Sequence, residues 1–310
     1  MSTVSETVNL SAPGGVDAGL SQKQLADKYG LKVSGARPGI VAYTKELWGR
    51  RHFIVAFATA RLVAQYTTAK LGQVWQVVTP LLNCAVFYLV FGLILSGNKV
   101  PHYIPWLCTG VFIFQFTQSA VQSGTRAISD NLWLIRALHF PRACLPIAFT
   151  VIQLQQLLIS MVVLVAIVLG FGMPISASWL LVIPVLIMQA AFNTGLSLIM
   201  ARIGSKTSDM SQLMPFILRT WMYLSGVMYS ISGNSAKWPS YVKLIMTINP
   251  ASVYMELVRN ALLPSVYAVS TKNHQTLGHH LWLYAAGWAV GLFVLGYVYF
   301  WKSEEEYGRG

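Results

Sequence analysis

The sequence predicts an all-α integral membrane protein: six transmembrane helices, an amino-terminal interfacial helix, and a re-entrant external helical hairpin between spans five and six. Two observations carry this expectation. The 310 residues are 55% hydrophobic and 10% charged, whereas a soluble domain carries about 25% charged residues. The apolar residues are also concentrated in stretches without Asp, Glu, Lys or Arg that are long enough for the ~20 residues a crossing helix needs. A formal charge of +12 would fit nucleic acid only if Lys and Arg clustered on a soluble module. Here they flank the apolar runs, as orientation signals do.

Residues 1–38 are rich in Ser, Gly, Ala and Lys and read as a flexible cytoplasmic tail. They lack the basic and apolar regions of a signal peptide, so the first span is expected to direct insertion. Residues 39–73 mix bulky aromatics with Arg50, Arg51, Arg61 and Lys70. That composition suits a helix lying at the headgroups rather than one crossing the bilayer.

Residues 74–302 hold the six-helix transmembrane domain, and residues 303–310 form a second cytoplasmic tail. The first span is expected over Val74 to Ser96 and the second over Tyr103 to Thr125. A polar segment from Arg126 to Arg142 is too charged to cross and is placed as a short cytoplasmic helix. The uncharged run Ala143 to Ala201 is long enough for two helices, broken at the turn-prone GFGMPISAS stretch. Span five is expected over Met210 to Ser232 and span six over Leu281 to Trp301. Between them, Trp238-Pro239 and Asn249-Pro250 divide the chain into apolar pieces too short to cross, which gives the hairpin. With both termini inside, sixteen Lys and Arg fall on the cytoplasmic side and five outside, and Arg219 lies within span five. That bias agrees with the positive-inside rule.

Three stretches carry a family resemblance. Gln65 to Leu81 reads QYTTAKLGQVWQVVTPL, with an LG, a Trp three residues on, and a Pro five after that. Asn131 to Pro146 reads NLWLIRALHFPRACLP, and Ile248 to Leu263 reads INPASVYMELVRNALL. In this order they resemble the permease subunits of type-2 ABC exporters that handle polysaccharides, from about Tyr43 to the carboxyl terminus. Gln65-Tyr66 stands where the family has Arg-Tyr. The resemblance implies two permease copies paired with two nucleotide-binding ATPase subunits in the cytoplasmic membrane. It also implies a lipid-linked glycan such as O-antigen, teichoic acid or galactan as cargo. ATP and Mg would then belong to the partner subunit, with no cofactor in this chain. The residues agree: Gly204-Ser205-Lys206-Thr207 ends like a phosphate-binding loop but lacks its glycine before the lysine and its glycine-rich spacing.

Each candidate residue has a functional and an ordinary reading. Arg50, Arg51, Arg61 and Lys70 suit a lipid pyrophosphate at the inner leaflet, or plain anchoring to anionic lipid. Asp130, Asn131, Leu132, Trp133, Arg136, Phe140 and Arg142 form a segment both charged and apolar, which suits docking to the ATPase or rest at the membrane surface. Trp75, Tyr88, Phe91, Arg219 and Tyr223 are conduit candidates, against packing for the aromatics and snorkelling for the arginine. Gln153 and Gln156, three apart on span three with Gln155 beside them, read as interhelical hydrogen-bonding groups or as a hydrophilic lining. Trp238, Asn249, Pro250 and Arg259 are external gate candidates.

No catalytic constellation is present. The six histidines are dispersed apart from His279-His280, the three cysteines lack metal-ligand spacing, and paired carboxylates are missing. This counts against a rival reading as a membrane enzyme acting on polyprenyl lipids. A small-molecule exporter of the same architecture remains an alternative. An ion channel would need a charge ring or filter loop, which only the long outer loop could supply.

Overall fold

The computed structural model describes residues 38–67, 72–94, 101–138, 140–231, 239–264, 266 and 280–304, together with 24, 28 and 29. Residues 1–38 and 39–310 form separate units. Among the described residues every regular element is helical. Lys70, Trp238 and the end of the carboxyl-terminal tail lie outside the described residues.

The amino-terminal segment expected as one helix forms two, α1 (Ile40–Gly49) and α2 (Arg51–Thr67). Arg50 leaves the helical region at φ −90°, ψ 9°, directly after Gly49, a poor helix former. In α2 the buried residues are Ile54, Ala58 and Leu62. Their spacing of four puts them on one face, which packs on the third long helix, while Arg51 and Arg61 stay exposed.

A short 3-10 turn, Gly72–Val74, leads into α3 (Trp75–Phe87), which runs on as a π-helix over Tyr88–Ile94. Gly72 has φ +50°, a backbone that favours glycine. Helix α4 (Tyr103–Arg126) is the centre of the molecule and is buried around most of its circumference. After it, α5 (Leu132–Ala137) is a helix of six residues, shorter than the polar segment that contains it.

Helix α6 (Cys144–Gly170) ends at a turn through Gly172, φ +79°. A 3-10 stretch, Ala177–Leu181, then feeds α7 (Val182–Lys206). Next come α8 (Met210–Leu224), the hairpin helices α9 (Ser240–Ile248) and α10 (Pro250–Leu262), and α11 (Leu281–Trp301).

Among the described residues, five helical stretches are long and apolar enough to cross a membrane: Trp75–Leu93, Tyr103–Arg126, Cys144–Gly170, Ala177–Lys206 and Leu281–Trp301. These match expected spans one to four and six. The expected fifth span is represented by α8, whose 15 residues rise about 22 Å against a hydrocarbon core of ~30 Å. It stops at a turn in which Gly226 has φ +68°.

Helix α4 packs against α3, α6, α7, α8 and α10, and α7 packs most extensively on α11. The α7–α11 crossing depends on glycine. A Cβ on Gly296 would overlap the Gly195 carbonyl, and one on Gly195 would overlap the backbone at Leu292. Such backbone-to-backbone approach is how helices gain packing contact in lipid, where burial supplies little driving force. Polar side chains add to it: Gln189 Nε2 of α7 donates to the Ile113 carbonyl and to Thr117 Oγ1 of α4, at 2.9 and 3.1 Å.

Candidate functional site: hairpin clasp, interhelical cavity and terminal latch

The hairpin is fixed by two polar side chains. Asn249 stands at the N-cap of α10, and its Oδ1 accepts from Ala251 N at 3.1 Å and from Trp221 Nε1 of α8 at 2.9 Å. Its Nδ2 donates to Ser225 Oγ at 3.0 Å, so one side chain both starts α10 and ties it to the end of α8. Pro250 follows at the first helical position, where its missing N–H costs nothing. Asn249→Ala is expected to cost about 1–2 kcal/mol from the cap, with further loss from the orphaned Trp221 and Ser225 groups. Thermal unfolding of the purified variant in detergent checks it.

Arg259 is fully buried. Its guanidinium donates to the carbonyls of Trp106, Gly226 and Val227 at 3.2, 3.2 and 2.8 Å, and Nη1 pairs with Glu256 Oε1 at 2.9 Å. Its Cζ lies 3.4 Å from the Trp106 ring centroid. Gly110 makes the room, since a Cβ there would overlap Nη2. The Trp106 ring stacks on Tyr103, centroids 5.9 Å apart, and Tyr103 lies 6.4 Å from Tyr88. This clasp joins α10 to α4 and to the turn after α8. Of the gate candidates, Asn249, Pro250 and Arg259 therefore meet in one hydrogen-bonded structure.

The conduit candidates separate. Tyr88 and Phe91 pack inward on the main core. Arg219 and Tyr223, four apart on α8, are exposed beside Phe216, Ile217 and Leu213. Trp75 is partly exposed and lines a cavity of about 100 Å3. The other walls come from the first turns of α3, with Gln76, Thr79 and Pro80; from α4, with Phe112, Gln115, Phe116 and Ser119; and from α6, with Gln153, Gln156, Leu157 and Ser160. Tyr66 of α2 completes it and accepts a hydrogen bond from Gln156 Nε2. Gln155 turns away and donates to Thr59 Oγ1 at 3.0 Å. The three glutamines thus serve both readings: Gln155 and Gln156 bond between helices, while Gln153 and Gln156 line a polar space.

The coupling candidates are tethered from three directions. Arg61 Nη2 donates to Oδ1 of the buried Asn131 at 2.7 Å, which links α2 to this segment. Phe140 packs on Phe53, centroids 5.5 Å apart. Arg142 donates through Nη1 to the Glu304 carbonyl and through its backbone N–H to Glu304 Oε1, the latter at 2.8 Å. Tyr43 Oη donates to Glu304 Oε2 at 2.7 Å and accepts from Ala143 N at 3.2 Å. Leu134 and Ile135 are buried and Leu132 packs against the same cluster, whereas Trp133 is 65% exposed, as are Asp130 and Arg136 to a large degree. Among the cations proposed for a pyrophosphate, Arg61 is engaged by Asn131. Arg51 reaches the Trp48 carbonyl at 3.3 Å, and Arg50 is exposed.

The Glu304–Tyr43–Arg142 latch is the part that sequence reasoning missed, because its members lie far apart in the chain and Glu304 belongs to an acidic run that reads as solvated. Burial raises the Glu304 carboxyl above its ordinary range, opposed by the Arg142 N–H, the Tyr43 hydroxyl and the Arg142 guanidinium, while Glu46 pushes it up. Burial, then the Glu304 charge, raises the Tyr43 phenol well above its usual value. A carboxyl whose pKa is higher folded than unfolded takes up its proton first in the folded state. The latch is therefore expected to gain stability as pH falls from the raised value toward the ordinary carboxylate value. Glu304→Gln should keep most of the hydrogen bonds and flatten this pH response. Glu304→Lys, which sets a cation against Arg142, should cost about 1–3 kcal/mol by leaving Tyr43 and Arg142 N–H unpaired. Melting curves of both variants at pH 5.5 and 7.5 read the difference.

No group of three or more His, Cys, Asp or Glu suited to a metal occurs among the described residues. Gly204, Ser205 and Lys206 lie in the last turn of α7, with Gly204 pressed on the Thr125 carbonyl. The three residues are thus part of a helix, in which Gly204 is a packing position, and do not form a loop.

The model of the ABC-2 type transporter family matches residues 53–263, more than half of the chain. The chain belongs to that family. It is 26% identical to an O-antigen export system permease protein RfbA of Klebsiella pneumoniae over 219 residues, covering 69% of this chain and 83% of that protein. A second Klebsiella pneumoniae protein of that name is 26% identical over 198 residues, 64% of this chain and 74% of its own. The protein of the same name from Myxococcus xanthus is 24% identical over 211 residues, 68% of this chain and 80% of its own. The matched region runs from α2 through α10 and so includes the cavity, the coupling segment and the hairpin clasp. Together with the five long apolar helices, it makes this ABC-2 transporter chain a multi-pass membrane protein and a transport subunit rather than an enzyme.

Proposed function

We propose that this chain is the transmembrane half of an ATP-driven exporter that moves a lipid-linked polysaccharide across the cytoplasmic membrane through a conduit formed by two copies. The observation that carries this reading is the similarity to O-antigen export permeases over about two-thirds of the chain and about three-quarters or more of theirs. ATP and Mg would be bound by two separate nucleotide-binding subunits.

Two features support the assembly. Helices α3 and α8 each present a long exposed apolar face, with Leu82, Val86, Leu89 and Leu93 on one and Leu213, Phe216, Ile217 and Leu224 on the other. A second copy or lipid suits such faces, and Arg219 and Tyr223 would then stand beside the conduit. On the cytoplasmic side, Trp133 projects from a segment tied to α2 by Arg61 and to the carboxyl-terminal end of α11 by Glu304. A push on α5 from a closing ATPase would therefore reach α1, α2 and α11 together.

In this reading both termini are cytoplasmic and α1 and α2 lie at the inner interface. Helix α8 and the turn after it supply the sixth crossing as a broken span. Helices α9 and α10 form the outer re-entrant hairpin, held by Asn249 and Arg259, and the cations Arg50 and Arg51 face the headgroups where the lipid anchor arrives.

Copurification of the tagged chain with its co-expressed ATPase, with Trp133→Asp as the variant, tests the coupling. The parent should retain the ATPase and the variant should lose most of it while keeping its membrane insertion. An ATPase that binds both equally contradicts this docking surface.

A further inference from the structure

The described walls of the cavity between α3, α4 and α6 are polar without being charged. Gln76 is 4% exposed, and neither its Nε2 nor its Oε1 has a hydrogen-bond partner; Gln115 Oε1 is likewise buried and unpartnered. Pro80, also in the wall, withholds the N–H that the Gln76 carbonyl would take in a regular helix. Each unmet amide group costs about 1–3 kcal/mol when buried, and side-chain amides are ordinarily paired in such a setting. The surrounding surfaces are aromatic: Trp75, Phe112, Phe116 and Tyr66.

We propose that this cavity is a neutral-sugar subsite inside one protomer, where a single uncharged sugar ring of the glycan is held. The inference rests on the export function proposed above and adds to it a site apart from the exposed faces assigned to the conduit. Sugar hydroxyls both donate and accept, so they match the amide atoms of Gln76 and Gln115 and the hydroxyl of Ser160. The C–H faces of a sugar ring stack on aromatic planes, which the indole and phenyl rings supply. Among the described residues no Lys or Arg lines the cavity, and a phosphate set against these walls would carry its charge unpaired at a prohibitive cost. The described walls therefore suit the sugar rather than the pyrophosphate of the lipid anchor. Its volume of about 100 Å3 far exceeds the ~10–15 Å3 that admits one water.

Thiol protection tests the proposal in the complex of permease and ATPase in nanodiscs. Ser119→Cys places a reactive group in the wall, and a small methanethiosulfonate reagent reads its accessibility against the parent, whose three cysteines are buried. Oligosaccharide released from its lipid, prepared from the strain that makes the glycan, should slow labelling by up to about fivefold at a concentration four times its dissociation constant. A polyprenyl diphosphate without sugar and phosphatidylglycerol vesicles should not. Adding Gln76→Leu should abolish the protection, and Gln115→Leu serves where the first variant does not assemble with the ATPase. Protection by the sugar-free lipids, or none by the oligosaccharide, overturns the subsite and leaves a hydrated packing space or a lipid groove. ATP turnover stimulated by lipid-linked glycan is read in the same preparation. Stimulation without protection overturns the subsite alone, and absence of both overturns the export reading as well.

Discussion

Arg259→Ala is expected to lower stability by about 3–5 kcal/mol, the range seen when one partner of a buried charged network is removed. The substitution strips donors from the carbonyls of Trp106, Gly226 and Val227 and removes the cation paired with the half-buried Glu256. It also removes the side chain that packs on the Trp106 ring and opens a space beside Gly110. Because α10 holds to α4 through this clasp, the loss should appear first as release of the hairpin. The measurement is hydrogen exchange over α10 together with thermal unfolding in detergent. Arg259→Lys should rescue only part of the loss, since an ammonium cannot span three carbonyls and lie flat on an indole.

Gly296→Leu should be comparably damaging for a different reason. At that position helix α11 meets α7 backbone to backbone, so a side chain has no flexible neighbour to displace and the helices themselves must separate. Overpacking in a core that can relax costs about 1–3 kcal/mol; here the obstacle is the Gly195 carbonyl, and the upper end of that range or beyond is expected. The α7–α11 contact is the largest in the molecule, and Tyr254 and Trp288 anchor the hairpin to α11 through the carbonyl of Ala285 and that of Ile248. Loss of monodisperse protein on gel filtration, with Gly287→Leu as a lipid-facing control that has open space around it, separates packing failure from a general effect of adding leucine.

The long helices were legible because hydrocarbon imposes one rule over twenty residues at a time: uncharged runs at Val74, Tyr103, Ala143 and Leu281 each begin a helix that the structure contains. The hairpin was legible from Asn249-Pro250, since an Asn followed by Pro both caps and starts a helix. Helix α8 was less so. Hydropathy carries the run past Leu224, whereas Gly226 turns the chain there so that its carbonyl and that of Val227 can meet Arg259, a contact between residues more than thirty apart. The break at Arg50 lies in a helix-compatible stretch and follows from one glycine.

Site residues divide in the same way. Gln153 and Gln156 show their shared face through spacing alone, yet that spacing cannot reveal that Gln76 and Gln115 from two other helices close the cavity around them. The Glu304 latch has no local signature at all, because a carboxylate in an acidic run is buried only when Tyr43 and Arg142 arrive from distant parts of the chain. Arg61 carries a signal of charge on an amphipathic helix, but its partner Asn131 is fixed by tertiary packing.

ATP-dependent transfer of lipid-linked glycan into inside-out vesicles that contain this chain and its ATPase tests the export function most directly. Glycan should become inaccessible to an added glycosidase only when ATP is hydrolysed, and hydrolysis should rise when the glycan is present. Hydrolysis indifferent to the glycan, with all of the glycan still open to the enzyme, would contradict it.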